Sequence, residues 1–136
     1  MLKAILEKIE QELENNGVER IYTAFDYISI EKKGKEIFTV IGIDSFESSA
    51  PIYSESVIYL PFKAEAAVSL VAPESFAMAE LYDYFDGSIL PALMNMTSLT
   101  CSLRDLTMKN DTNINRLVLK VKFSVTGITR LERSSS

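Results

Sequence analysis

Glu80, Asp83 and Asp86 recur at three-residue spacing. On a helix that spacing sets carboxylates near one another, where with Asp105 or Asp111 they could gather a divalent cation through oxygen ligands. The commoner reading of such residues is a solvated helix face, because Asp and Glu are almost never fully buried unless paired. The single thiol, Cys101, shares strand parity with Leu99 and Leu103. It reads as a small core hydrophobe rather than a nucleophile. The sequence has no histidine, which removes the usual general base, the partner in Ser-His and Cys-His pairs, and the commonest zinc ligand. Its five glycines, Gly17, Gly34, Gly42, Gly87 and Gly127, are scattered, without the spacing of a phosphate-cradling loop. The expectation is a protein with no catalytic residue, no metal site and no cofactor, acting by contact with other proteins.

The residues suited to contact are of two kinds. The stretch Asp44 to Ser56 is rich in serine and contains Pro51, so it reads as a long loop, yet it carries Phe46, Ile52 and Tyr53. Apolar side chains on a polar loop either anchor a partner or fold back to staple the loop to its own domain. In Leu81-Tyr82-Asp83-Tyr84-Phe85 a helix cannot turn all three rings to one core, so Tyr84 is a further candidate, with Tyr82 and Phe85 as core. The second kind is charge. The chain carries a formal −5, divided as −2 over residues 1–16, −7 over 17–115 and +4 over 116–136. Lys120 and Lys122 therefore sit on a basic closing strand facing an acidic body, an asymmetry that suits complementary subunit faces or an internal pairing. Lys32-Lys33-Gly34-Lys35 reads as solubilising charge on a hairpin tip.

The elements that position these residues follow from periodicity. Leu2, Ile5, Leu6, Ile9 and Leu13 recur at helical spacing, with Gly17 as a left-handed stop. Arg20 to Ile30 and Ile37 to Ser45 read as a hairpin around Glu31–Glu36. From Ser56 to Ala72, Ile58, Leu60, Phe62, Ala64, Ala66, Val68 and Leu70 share one parity, a long strand buried on one face. Pro61 requires that strand to be an edge there or to bulge. Pro73-Glu74-Ser75 starts a second helix with Ser75 as N-cap. That helix either ends near Asp86, with another beginning at Ser88, or continues with a kink at Pro91. Leu99 to Leu103 and Leu117 to Val125 alternate as two further strands around a turn at Lys109–Asn113. The fold class predicted is α+β, one domain over 1–133 with a frayed tail at 134–136. The sheet is expected to be antiparallel with about five strands and helices on one face, in the order α-β-β-β-α-β-β.

At 136 residues, 47% hydrophobic and 24% charged, the chain has the composition of an ordinary globular domain. Its apolar runs are too short for a membrane span, and charge arrives too early for a signal peptide. One cysteine cannot form an internal disulfide, and an acidic balance argues against a specific nucleic-acid partner. A cytoplasmic origin is expected.

Several stretches resemble the tail terminator, or tail completion, proteins of long-tailed phages and of prophages in Gram-positive bacteria. They are Phe38-Thr39-Val40-Ile41-Gly42-Ile43 leading into Ser45–Tyr53, the helix start Ala72-Pro73-Glu74-Ser75, and the closing strand Arg116–Val121. The resemblance implies a virion structural protein that forms a homo-oligomeric ring, commonly of six subunits. Such a ring stops tube growth, meets the tail-tube and head-completion proteins, and is built in the host cytoplasm before it joins the virion tail. A small protein- or ligand-binding module is the alternative, with the 44–56 loop and second helix forming a groove. A carboxylate metal enzyme is a further one. The opening helix, strands and helix also resemble double-stranded RNA-binding domains, against which the acidic balance speaks.

Overall fold

A computed structural model describes residues 1–23, 36–112 and 115–133 of the chain. The first helix, α1 (Leu2–Asn15), buries Ile5, Ile9 and Leu13, each worth about 1.5–3 kcal/mol relative to exposure. Leu2, expected on the same stripe, lies at the helix start and is exposed. Gly17 has a φ of 86°. Its amide bonds the Glu14 carbonyl and the Val18 amide bonds that of Leu13, both at 3.0 Å. This is the double closure that a left-handed glycine permits, and Leu13 and Val18 are both buried in the core.

Among the described residues six strands follow around a second helical segment. They are β1 (Ile21–Thr23), β2 (Phe38–Ser48), β3 (Ile52–Tyr53), β4 (Val57–Pro73), β5 (Thr100–Asp111) and β6 (Arg116–Glu132). The sheet order is β1-β2-β4-β6-β5, with β3 on β4 beyond the end of β2. The sheet is mixed, not purely antiparallel: β1 runs parallel to β2, with Ile21 opposite Thr39. The expected hairpin therefore does not describe this pair, and its remaining residues, 24–35 with the lysine tip, lie outside the described ones. Periodicity gives parity but not direction.

The β4–β6 ladder is the spine, running without a break from Val57 opposite Glu132 to Pro73 opposite Arg116. Phe62, Ala64, Ala66, Val68, Leu70 and Ala72 of β4 and Leu117, Leu119, Val121, Phe123 and Val125 of β6 turn to the helices and are buried. Pro61 sits where β2 stops, opposite Phe62, and β3 starts, opposite Tyr59. Its carbonyl accepts the Ser49 amide at 2.9 Å. A strand residue's N and O point to the same side, so the missing N–H falls where the neighbouring strand changes over. The proline is thus at a local edge of an inner strand.

The second helical segment joins α2 (Met78–Tyr84) to α3 (Leu90–Met94) through a widened π turn, Phe85–Ile89. The helix therefore continues past Asp86. Pro91 has no N–H and its ring crowds the carbonyl four residues back, so a wider turn absorbs the conflict. Leu81, Phe85, Ile89, Ala92 and Leu93 form its buried face. Ser75 is not the N-cap: it lies in a turn closed by the Phe76 amide on the Pro73 carbonyl at 3.0 Å. The helix starts after Ala77, without a side-chain cap.

Candidate docking surfaces

Beyond Phe62 and Gly127 the spine leaves the main core cluster and continues as a three-stranded arm of β3, Val57–Pro61 and Ile128–Glu132, in which Val57 is buried. Gly127 marks the boundary. A Cβ there would lie 2.8 Å from Leu99 Cδ2 and 3.0 Å from Phe62 Cζ, so the last core side chains occupy the space a larger residue would need. Ile52, Tyr59 and Arg130 line up across the three strands on one face of the arm, with Ile128 beside them. Tyr53, Ile58 and Leu131 line up on the other. Ile128 and Tyr53 are each 63% exposed and Ile52 is 56% exposed, so the arm offers apolar side chains on both faces to solvent.

The arm is tied at its tip. Arg133 donates to the Ser54 carbonyl at 2.8 Å, its amide bonds the Ser56 carbonyl at 2.9 Å, and its guanidinium lies 5.5 Å from the centre of the Tyr53 ring. The turn from Ser54 to Val57 is closed by the Ser54 amide on the Val57 carbonyl at 2.9 Å and by the Val57 amide on the Ser54 hydroxyl at 3.2 Å. The end of the chain's last strand thus pins the β3–β4 turn.

The stretch 44–56 is only partly a loop, since Asp44 to Ser48 belong to β2, with a register shift between Ile43 and Ser45. Phe46 sits in that strand, half-buried and stacked on Phe62 with ring centres 5.5 Å apart. Ile52 and Tyr53 stand out on the arm. Tyr84 is half-buried against its own domain, where its hydroxyl accepts the Glu19 amide at 3.4 Å. Phe85 is buried, but Tyr82 is 44% exposed, so of the pair expected in the core only Phe85 enters it. Lys120, half-buried, and Lys122, exposed, lie on the sheet face away from the helices, opposite Thr107 and Asp105 of β5. The six candidates are therefore spread over the arm, the core edge, the helix layer and the outer sheet face. Tyr59 and Ile128 escaped the sequence reading although both are apolar residues on the polar parity of their strands. That mismatch is the signal that marks them.

The other exposed apolar row lies on β5. This strand ends the sheet, and a register shift between Leu103 and Asp105 reverses its alternation. Cys101, Leu103, Leu106 and Met108 consequently share the helix side, yet Leu103, Leu106 and Met108 are all exposed. The strand also runs to Asp111, past the start of the turn expected at Lys109. Cys101 is half-buried, with its Sγ 3.7 Å from Met96 Sδ. Burial pushes its thiol up to about 11, away from nucleophilic use at neutral pH.

Glu80, Asp83, Asp86 and Asp105 are exposed, while Asp111 pairs with Lys109 at 3.4 Å. Among the described residues no three acidic, cysteine or histidine side chains come close enough to hold a metal ion. An open groove of about 290 Å³ is lined by Gly17, Arg20, Glu36, Ile37, Phe76 and Tyr84 among others. It lies by the Arg20–Glu36 ion pair at 2.9 Å, not between residues 44–56 and the second helix. No described helix is long and apolar enough to cross a membrane.

No family model matches the chain, and no curated protein matches it. Among solved structures it is similar to the sheath/tube terminator of an extracellular contractile injection system in its extended state. That match has a TM-score of 0.57 and 13% identity, over 100% of this chain and 58% of that one. The chain thus spans somewhat more than half of the terminator's length, and the likeness is one of fold. PilO, a type 4 fimbrial biogenesis protein of Pseudomonas aeruginosa, aligns with a TM-score of only 0.33 at 12% identity, over 94% of this chain and 69% of that one.

Proposed function

We propose that the chain is a structural subunit of a phage tail or tail-like tube, a terminator that assembles as a homo-oligomeric ring and closes the tube by protein contact. The observation that carries this reading is the fold shared over the whole chain with a sheath/tube terminator. The arm supplies a second support. A ribbon with exposed Ile52, Tyr53 and Ile128 gains stability by inserting against a neighbour. In this reading Ile52 and Tyr53 contact the next subunit or the tube, Phe46 borders that contact, Tyr84 belongs to a separate contact on the helix layer, and Lys120 and Lys122 meet an acidic neighbouring face. Partners are further copies, a tube protein and a head-completion protein. Prophage origin, assembly in a host cytoplasm and a six-fold ring belong to the same proposal, which assigns no catalytic residue.

Sedimentation velocity and negative-stain electron microscopy of the full chain provide the test. The expected result is a closed ring of one size whose assembly weakens as salt rises, since exposed charge pairs are screened. A chain that shows no ring at any concentration, alone or with isolated tail tubes, would overturn the reading.

A further inference from the structure

β5 ends the sheet order among the described residues, and no described strand pairs with its outer side from Asp105 to Lys109; such an open edge is a template for another strand. Its register shift and its charges limit which strand can add. Two edges related by a two-fold axis normal to the sheet pair antiparallel with their helix sides together. Only registers that oppose residues of equal parity are then allowed, because a one-residue slip would turn Leu106 and Met108 to the wrong face.

The segment after the shift reads Asp105-Leu106-Thr107-Met108-Lys109, with Asp105, Thr107 and Lys109 on the outer face and Leu106 and Met108 on the helix side. Centred on Thr107, the pairing sets Asp105 opposite the second copy's Lys109, twice, Leu106 opposite its Met108, twice, and Thr107 opposite Thr107. Centring on Asp105 or Lys109 opposes like charges at the axis, and centring on Met108 opposes Asp105 to Asp111. Centring on Leu106 leaves Asp105 facing Thr107. One allowed register is thus complementary in both charge and apolar surface. Lys109 pairs with its own Asp111 at 3.4 Å with 67% of the lysine side chain exposed, a solvent-screened pair for which an opposed Asp105 can compete.

We propose that β5 is a self-complementary docking edge whose occupant is the β5 of a second copy, joining two sheets into one across a two-fold axis at Thr107. This contact closes on itself after two copies. It does not rest on the terminator reading, whose ring requires head-to-tail contacts elsewhere.

Charge reversal in the full chain tests it by analytical ultracentrifugation, with circular dichroism and a thermal melt to establish that each variant folds. Asp105→Lys or Lys109→Asp alone sets like charges opposite each other twice per dimer and should weaken pairing at least about tenfold. Asp105→Lys with Lys109→Asp restores the opposition and should restore pairing. An equimolar mixture of the two folded single variants should pair better than either one alone, because only the mixed dimer opposes opposite charges. A wild-type chain that shows no two-copy step, or single reversals that fold and pair as wild type does, would overturn the proposal. So would a folded double reversal that pairs no better than the single ones.

Discussion

Replacing Phe46 and replacing Ile52 with Tyr53 should have opposite consequences, although all three residues come from one polar stretch. Phe46 is half-buried and stacked on Phe62. A fully buried Phe→Ala costs about 3–5 kcal/mol, so a half-buried ring should cost about 2 kcal/mol, including the lost stacking. With an unfolding entropy of roughly 2.1 cal/mol/K per residue, a domain of this length loses about 7 °C of Tm for that amount. Tyr53, 63% exposed, gives up its contact with Arg133, worth about 0.5–1 kcal/mol. Ile52→Ser adds about 0.5 kcal/mol or less at an exposed site. The double variant Ile52→Ser/Tyr53→Ala should therefore melt within about 5 °C of wild type while failing to assemble. Melts at a concentration too low for assembly isolate the subunit term, and sedimentation at high concentration reads association. A Phe46→Ala protein that melts within about 2 °C of wild type would refute the staple. A large Tm loss in the arm variant would refute the assignment of Ile52 and Tyr53 to contacts.

Three further outcomes follow from single side chains. Thr39 is fully buried and its hydroxyl has no hydrogen-bond partner among the described residues, so Thr39→Val should raise stability by about 1–2 kcal/mol in urea unfolding. Gly127→Ala should lower it by about 1–3 kcal/mol through the clash with Leu99 and Phe62, and Leu99→Val should recover part of that loss. Cys101, with its thiol raised from 9.0 to about 11 by burial, should react with iodoacetamide at pH 8 about 100-fold more slowly than the unfolded chain does. Because the folded value is the higher one, the stability linked to the neutral thiol is fully present below pH 9.0 and is lost as pH rises toward about 11.

The parts of the fold legible in the sequence are those where one face is dry for many residues. The α1 stripe, the even-numbered run of β4 and the odd-numbered run of β6 each state their buried side outright. Features that depend on a neighbour were not legible. The parallel direction of β1 is decided by the Arg20 carbonyl accepting the Thr39 amide, a pairing no local pattern encodes. The shift near Arg104 hides the continuation of β5 beyond the legible Leu99 to Leu103, because Leu103 and Leu106 are three apart and break the alternation that names a strand. The serines at 45 and 48 suggested a loop, but the ladder to β4 overrides their turn preference. Of the candidate contacts, Ile52 and Tyr53 were marked by being apolar in a polar stretch. The same signal put Phe46 on a loop, whereas it lies in β2 stacked on Phe62, a partner distant in sequence.

The central ladder also sets the order of events as the chain folds. Its pairs join residues 43 apart, at Pro73 and Arg116, to 75 apart, at Val57 and Glu132, so chain entropy must be given up before the spine rewards it. The β5–β6 ladder begins at Asp111 opposite Arg116, only five residues apart in sequence, and hairpins with such local pairs form in about microseconds. β6 is therefore shaped first by its edge partner and then offers its other edge to β4. Formation of the arm waits on the last and most distant of those pairings.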